Sequence, residues 1–185
     1  MQIVDLKADD QAAIQQTVSL LGEVFPGWIK SRADGLAEVL ESFQPGHVSR
    51  IAVDQTGLVL GWVGAISRYD GHVWEVHPLL VRPDRQRQGI GRALLADLEA
   101  VVRAHGAITL YLGTDDVDRQ TSLGGIDLYP DIAHHIATIK NVRQHSFAFY
   151  QKVGFVIMGL LPDANGFGKP DILMAKRVGP VSDEG

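Results

Sequence analysis

Cysteine is absent from the 185-residue chain, which excludes disulfides, thiolate metal sites and a cysteine nucleophile. Long apolar runs are missing too. None approaches the length that spans a bilayer, and residues 1–10 lack the basic-then-apolar order of a signal peptide. No membrane association is expected, and the cytoplasm is the default location. Positive charge is in short supply, with 17 Lys and Arg against 22 Asp and Glu and a formal net charge of -5. That balance disfavours nucleic acid as a partner and tolerates a cationic one. No repeat, low-complexity tract or linker divides the sequence. No metal cluster stands out, because the adjacent His134 and His135 would fall on different faces of a helix. What is present is the ordinary make-up of a globular protein, 45% apolar and 21% charged, long enough to bury one core. One domain over residues 1–178 and a flexible tail at 179–185 are expected.

Periodicity supplies the element order. A short strand at 3–6 precedes a helix capped by Asp9 or Asp10, with Ile14, Val18, Leu21 and Phe25 at helical spacing. Pro26-Gly27 ends it. A second helix over about 33–43 would turn Leu36, Val39, Leu40 and Phe43 to one face. Residues 49–54 and 58–67 read as a hairpin around Gln55-Thr56-Gly57, and 73–81 as a long strand after Tyr69-Asp70-Gly71. Pro78 cannot donate a ladder hydrogen bond, so that strand must bulge or splay there. A helix over about 89–105 buries Leu94, Leu95, Leu98, Val101 and Val102, and 109–114 is the next strand. The stretch 115–145 is polar and turn-rich, with Ile132, Ile136 and Ile139 at helical spacing after Pro130. A short helix at 146–153 and strands at 155–161 and 172–177 follow. The order β-α-α-β-β-β-α-β-(insert)-α-β-β describes a mixed α+β domain with a crossover helix in its middle.

The chemistry starts at Gln86-Arg87-Gln88-Gly89-Ile90-Gly91, where a strand hands over to a helix. Two glycines let the backbone bend and approach an anion, and the first helical turn offers amide N–H groups at the positive end of the helix dipole. Arg85, Arg87 and Arg92 add charge. A bare Gly-x-Gly fits a plain turn equally well. A dinucleotide fingerprint would need a third glycine where Leu94 stands, and a Walker loop would need Gly-Lys-Ser/Thr, which is absent.

Gln-x-x-Gly-x-Gly after Leu79-Leu80-Val81-Arg82-Pro83, continued by Arg92-Ala93-Leu94-Leu95, resembles the acetyl-CoA signature of the GNAT superfamily of N-acetyltransferases. Phe149-Tyr150-Gln151-Lys152-Val153-Gly154-Phe155 resembles its second block. The resemblance implies a central twisted, mostly antiparallel sheet, splayed at the acetyl-CoA site and flanked by helices. It implies that Leu79, Leu80 and Val81 hold the pantetheine arm, with Phe149 beside the cosubstrate. Backbone N–H groups of Gln86, Arg87, Gln88, Gly89, Ile90, Gly91 and Arg92 would hold the pyrophosphate. It further implies Glu75 as general base and Tyr150 as the acid that protonates the departing thiolate. With no cysteine, direct attack in a ternary complex is simpler than a ping-pong route. Other readings stand beside these. Glu75 also fits a cross-strand charge partner, His77 a satisfied structural histidine, and Phe149-Tyr150 a pair of core aromatics.

Longer blocks narrow the acceptor. Residues 74–81, Gly113-Thr114-Asp115-Asp116, and 163–172 resemble a group of bacterial aminoglycoside 6'-N-acetyltransferases. On that resemblance Trp28, Glu75, His77, Asp115 and Asp116 meet a polycationic small-molecule amine, and acetylation confers antibiotic resistance. Both aspartates would point towards the acceptor; as an alternative they are turn-forming, and Trp28 is core. A polyamine, a small metabolite amine or a protein N-terminus remains open as acceptor, as does a non-catalytic acetyl-CoA sensor. A homodimer is the expectation carried from the superfamily.

Overall fold

The computed structural model describes residues 1–180, arranged as two compact units: Met1–Ile108 joined by residues 178–180, and Thr109–Arg177. The first unit contains β1 (Gln2–Asp5), α1 (Gln11–Val24), α2 (Arg32–Glu41), β2 (His47–Val53), β3 (Val59–Arg68), β4 (Val73–Val81) and α3 (Ile90–Ala104). The second contains β5 (Thr109–Asp115), α4 (Ile132–Thr138), α5 (Phe147–Lys152), β6 (Val156–Leu161) and β7 (Asp171–Arg177). Among the described residues every strand pairing inside either unit is antiparallel, and helices accompany the strands of each, as the α+β reading requires.

In the first unit β1, β2, β3 and β4 pair in that order. The helices start where the sequence offers caps. Asp10 accepts from the Ala13 amide at 2.9 Å, and Ser31 from the Asp34 amide at 3.1 Å, each satisfying a first-turn donor. α1 lays Ile14, Val18 and Leu21 on a core that includes Ile51, Trp62 and Leu80. Trp62 is wholly buried, and its indole N–H donates to Ser49 Oγ at 2.9 Å, so no polar atom of that ring is stranded. Leu40 departs from expectation and is 47% exposed. Val39 is buried and Leu36 and Phe43 pack against the core as expected, while Gly35, four residues before Val39, completes the inner face, where a methyl would lie only 3.3 Å from Val18 Cγ1.

β4 carries the irregularity that Pro78 demanded. Ala65 pairs with Val76 and Val63 with Leu79, so His77 and Pro78 together oppose the single residue Gly64. One extra residue in a strand reverses the facing of everything after it. Glu75 pairs with Ile66, and Leu80 pairs with Trp62. Ile66 and Trp62 are four apart in a regular strand, so Glu75 and Leu80 share a face despite their odd spacing. Trp74 lies on the opposite face, its ring 5.8 Å from that of His105 at the end of α3.

The Val178 and Gly179 amides both donate to the Ile108 carbonyl, at 2.8 and 3.1 Å. The chain is therefore still tied at the first residue of the expected tail; residues 181–185 of that tail lie outside the described residues.

In the second unit β7 is central, flanked by β5 and β6. The polar stretch after β5 makes one short helix, α4, capped by Asp131. Gly154, at φ 97°, turns the chain from α5 into β6. Among the described residues no helix is long and apolar enough to cross a membrane.

Candidate active site

The turn before α3 has the geometry an anion needs. Gly89 caps the helix in the left-handed region at φ 84°, and no side chain caps the first turn. A methyl at Gly89 would meet nothing within 4 Å, so backbone conformation alone calls for glycine there. Arg87 is also left-handed, at φ 60°. The first-turn amides lack helical partners by construction, which leaves them for a phosphate. The turn is braced from within: Gln86 Nε2 donates to the Val81 carbonyl at 3.3 Å, and Gln88 Nε2 to the Asp84 carbonyl at 3.5 Å. Arg85 contributes less free charge than expected, because Asp84 sits between Arg82 and Arg85 at 3.1 and 3.5 Å. The turn thus fits the pyrophosphate of acetyl-CoA, a cosubstrate, through backbone groups rather than through a ring of free arginines.

Upstream on β4, Glu75 is held by the neighbouring strand. Arg68 donates to Glu75 Oε2 from both Nε (3.0 Å) and Nη2 (2.7 Å). The cross-strand partnership considered above is real, and it orients the carboxylate. His77 is 3.3 Å from Glu38 Oε1 on α2, and its ring lies 5.1 Å from that of Trp28. Trp28 itself is 41% exposed and edge-on to Phe25. It is a surface wall and not core. The hydrogen bond to Glu38, aided by the charges of Glu38, Glu75 and Glu41 and opposed by burial, raises the His77 pKa above its ordinary value. The shift is towards the imidazolium form.

In the second unit Tyr150 lies on α5 in edge contact with Phe149 and Phe155, at ring separations of 5.2 and 5.8 Å. Desolvation pushes its phenol up to about 12. It is therefore neutral at physiological pH and able to donate a proton.

The two aspartates part company. Asp115 ends β5 exposed, with its Oδ1 accepting from the Asn165 side chain. Asp116 is only 1% exposed. Its carboxylate accepts from the Gln120 amide, the Thr121 amide at 3.0 Å and the Thr121 hydroxyl at 2.6 Å. The expectation that both meet the acceptor is corrected here: with three donors already on it, Asp116 folds its own loop and cannot reach out to an amine.

Arg68, Glu38 and Asn165 were not picked out from the sequence. Arg68 was within reach of it, because the Tyr69-Asp70-Gly71 turn sets Arg68 opposite Val73, two residues from Glu75. Glu38 and Asn165 reach their partners by tertiary packing and leave no local signal. Among the described residues no three His, Asp or Glu side chains gather into a group that could hold a metal ion.

A strand feeding a glycine-capped phosphate turn and helix, with a strand glutamate upstream and a half-buried tyrosine near the C-terminus, is the set of parts of an acetyl-CoA-dependent N-acetyltransferase. The family described as "Acetyltransferase (GNAT) family" matches residues 16–129, and the chain belongs to it. Among solved structures, an aminoglycoside 6'-N-acetyltransferase complexed with coenzyme A is 39% identical, with a TM-score of 0.94 over 99% of this chain and 100% of that one. The aminoglycoside 6'-N-acetyltransferase of Enterococcus faecium is also 39% identical, with a TM-score of 0.91 over the same shares. An aminoglycoside 6'-acetyltransferase type Ii is 34% identical, with a TM-score of 0.77 over 98% and 99% of the two chains. A comparison with curated proteins gives no match.

Proposed function

We propose that this enzyme transfers the acetyl group of acetyl-CoA to the 6'-amine of an aminoglycoside, and that this protects its host from the drug. The observation that carries the reading is the full-length likeness to aminoglycoside 6'-N-acetyltransferases. The acidic surroundings of β4, with Glu38, Glu41 and Glu75 about His77, suit a polycationic acceptor. Acetylation would neutralise one ammonium and add bulk, both of which weaken binding to anionic RNA.

Pantetheine runs along the backbone of Leu79, Leu80 and Val81, and the pyrophosphate sits on the amides from Gln86 to Arg92, with Phe149 beside the cosubstrate. Arg68 occupies Glu75 Oε2, which directs Oε1 to the acceptor. Glu75 takes the first proton from the ammonium, directly or through water. The amine nitrogen then attacks the thioester carbon, a C–N bond forms and the C–S bond breaks. Tyr150 donates to the departing sulfur, and the second proton lost by nitrogen restores the phenol. One proton is released and the other ends on the thiol. Asp115, Trp28 and His77 hold the remainder of the acceptor.

Release of CoA with kanamycin, tobramycin, spermidine, amino acids and an N-terminal peptide, with mass spectrometry of the product, tests the proposal. Aminoglycosides are expected to give the highest kcat/KM, with one added acetyl at the 6' position. A polyamine, metabolite or peptide that outcompetes every aminoglycoside refutes it. Glu75→Gln and Tyr150→Phe are each expected to lower kcat by about 10²-fold or more, the usual size of a general acid or base contribution.

A further inference from the structure

We propose that His145 is a positioning residue for the transfer, a neutral imidazole that latches the end of β5 to the start of α5 and so sets both Asp115 and Tyr150. The inference rests on the roles proposed above for those two residues. His145 is 3% exposed and both ring nitrogens are engaged by backbone. Nδ1 lies 3.2 Å from the Phe147 amide nitrogen, and Nε2 lies 2.9 Å from the Asp115 carbonyl oxygen. A backbone N–H can only donate and a carbonyl can only accept, so the partners dictate the ring's state. Nδ1 carries the lone pair and Nε2 carries the proton. With both nitrogens used in this way, the ring has no free site from which to shuttle a proton. Positioning is the chemistry left to it.

The latch is reinforced on both sides. Asn141 grips the backbone of His145, donating from Nδ2 to its carbonyl at 2.9 Å and accepting from its amide at 2.9 Å. The neighbouring residues repeat the tie, because the Thr114 hydroxyl on β5 is hydrogen-bonded to the Ser146 hydroxyl. α5 spans only six residues, so its first turn is half of it, and Tyr150 is bonded through its amide to the Ser146 carbonyl at 3.3 Å. Loss of the Phe147 N–H bond would loosen the turn that carries the phenol. Loss of the Asp115 carbonyl bond would loosen the strand end whose carboxylate is offered to the acceptor.

Two measurements on the full-length enzyme test this. Long-range ¹H–¹⁵N spectra of the wild-type protein at neutral pH should show His145 as a neutral ring protonated at Nε2. A ring protonated at Nδ1, or at both nitrogens, overturns the proposal. His145→Asn and His145→Gln separate the two ties. The Asn oxygen can still accept from the Phe147 amide, whereas the longer Gln amide can still donate to the Asp115 carbonyl. His145→Asn should raise acceptor KM while largely keeping kcat. His145→Gln should lower kcat, by up to about 10²-fold, the cost of a displacement near 1 Å. In both, KM for acetyl-CoA should be unchanged. A purely structural histidine would make both variants lose activity only in proportion to the fraction unfolded at the assay temperature, and that result overturns the proposal. Kinetics are run with whichever amine the enzyme turns over, so failure of the aminoglycoside reading leaves the test intact. An Asp115→Ala variant with unchanged acceptor KM removes Asp115 from the underlying reading, and the latch then stands or falls on kcat and the ring spectrum.

Discussion

Gly64 faces the β4 bulge, and its replacement by alanine is the most direct test of how the site is built. A methyl there would lie 2.3 Å from the His77 carbonyl oxygen and 3.2 Å from the His77 carbonyl carbon. The backbone conformation of Gly64 is open to alanine, so the clash alone sets the cost. The obstacle is main chain and cannot swing aside like a side-chain tip. The strands must part until that contact opens from 2.3 Å to at least 3.0 Å. Overpacking of this kind costs about 1–3 kcal/mol. For a chain of this length that is a fall in melting temperature of about 2–12 °C. The displaced carbonyl belongs to His77, so Glu75 and His77 shift with it, and kcat/KM should fall by at least about tenfold. Scanning calorimetry and steady-state kinetics on Gly64→Ala read both effects. Gly27→Ala is the control: a methyl there meets nothing within 4 Å, and neither quantity should change. A Gly64→Ala enzyme that melts with the wild type and retains its kcat/KM would refute the claim that this close approach holds the bulge.

Gly89→Ala should cost about 1–2 kcal/mol from left-handed backbone alone and raise KM for acetyl-CoA, with kcat at saturating acetyl-CoA the lesser effect; isothermal titration with CoA checks the binding part. Asp116→Asn should destabilise the protein by about 1–3 kcal/mol in urea unfolding, because any amide orientation turns an N–H towards donors that now meet carboxylate oxygen. Glu38→Gln should lower the His77 pKa, read by NMR titration. The sign for stability follows, since a histidine raised in the folded state stabilises fully below its unfolded pKa of about 6.5 and loses that contribution as pH rises through the folded value. The stability gap between wild type and Glu38→Gln should therefore be larger at about pH 5.5 than at about pH 9, and a gap independent of pH would refute the pairing.

Much of this molecule was legible in the order of its residues. The caps Asp10 and Ser31, the breaks at Gly57, Gly106 and Gly154, and the apolar stripe of α3 act locally, within a turn or two of chain. The phosphate turn is legible for the same reason: its function is carried by backbone, and glycine at 89 reports backbone directly. Asp115 and Asp116 were not separable in this way. They are adjacent and chemically identical, and only the return of the chain at Gln120 and Thr121 decides which is consumed by folding. His145 escaped notice because its two partners are main-chain atoms, which carry no residue identity. Glu38 carries no local signal, because only tertiary packing of α2 brings it to His77.

The β4 bulge reconciles two demands on one strand. Before it, Glu75 and His77 must stand on the α2 side to meet Arg68 and Glu38. Beyond it, Leu80 must enter the same side to close the core beneath α1 with Trp62. Strict alternation forbids this, because residues five apart point to opposite faces. An unbroken β4 with Glu75 in place would send Leu80 towards α3 and leave the core around Trp62 short of a leucine, a loss worth about 2–5 kcal/mol. The alternative register would put a carboxylate and an imidazole into that core, which costs more still. The extra residue at His77–Pro78 removes the conflict. The burial pattern hides it, since Trp74, Val76 and Leu80 are all buried and Glu75, His77 and Val81 all partly exposed, as a regular strand would have them. Residue pairing, not exposure, reveals that the faces have changed over. Glu75 and Leu80 can therefore share a face only while Gly64 keeps the bulge closed.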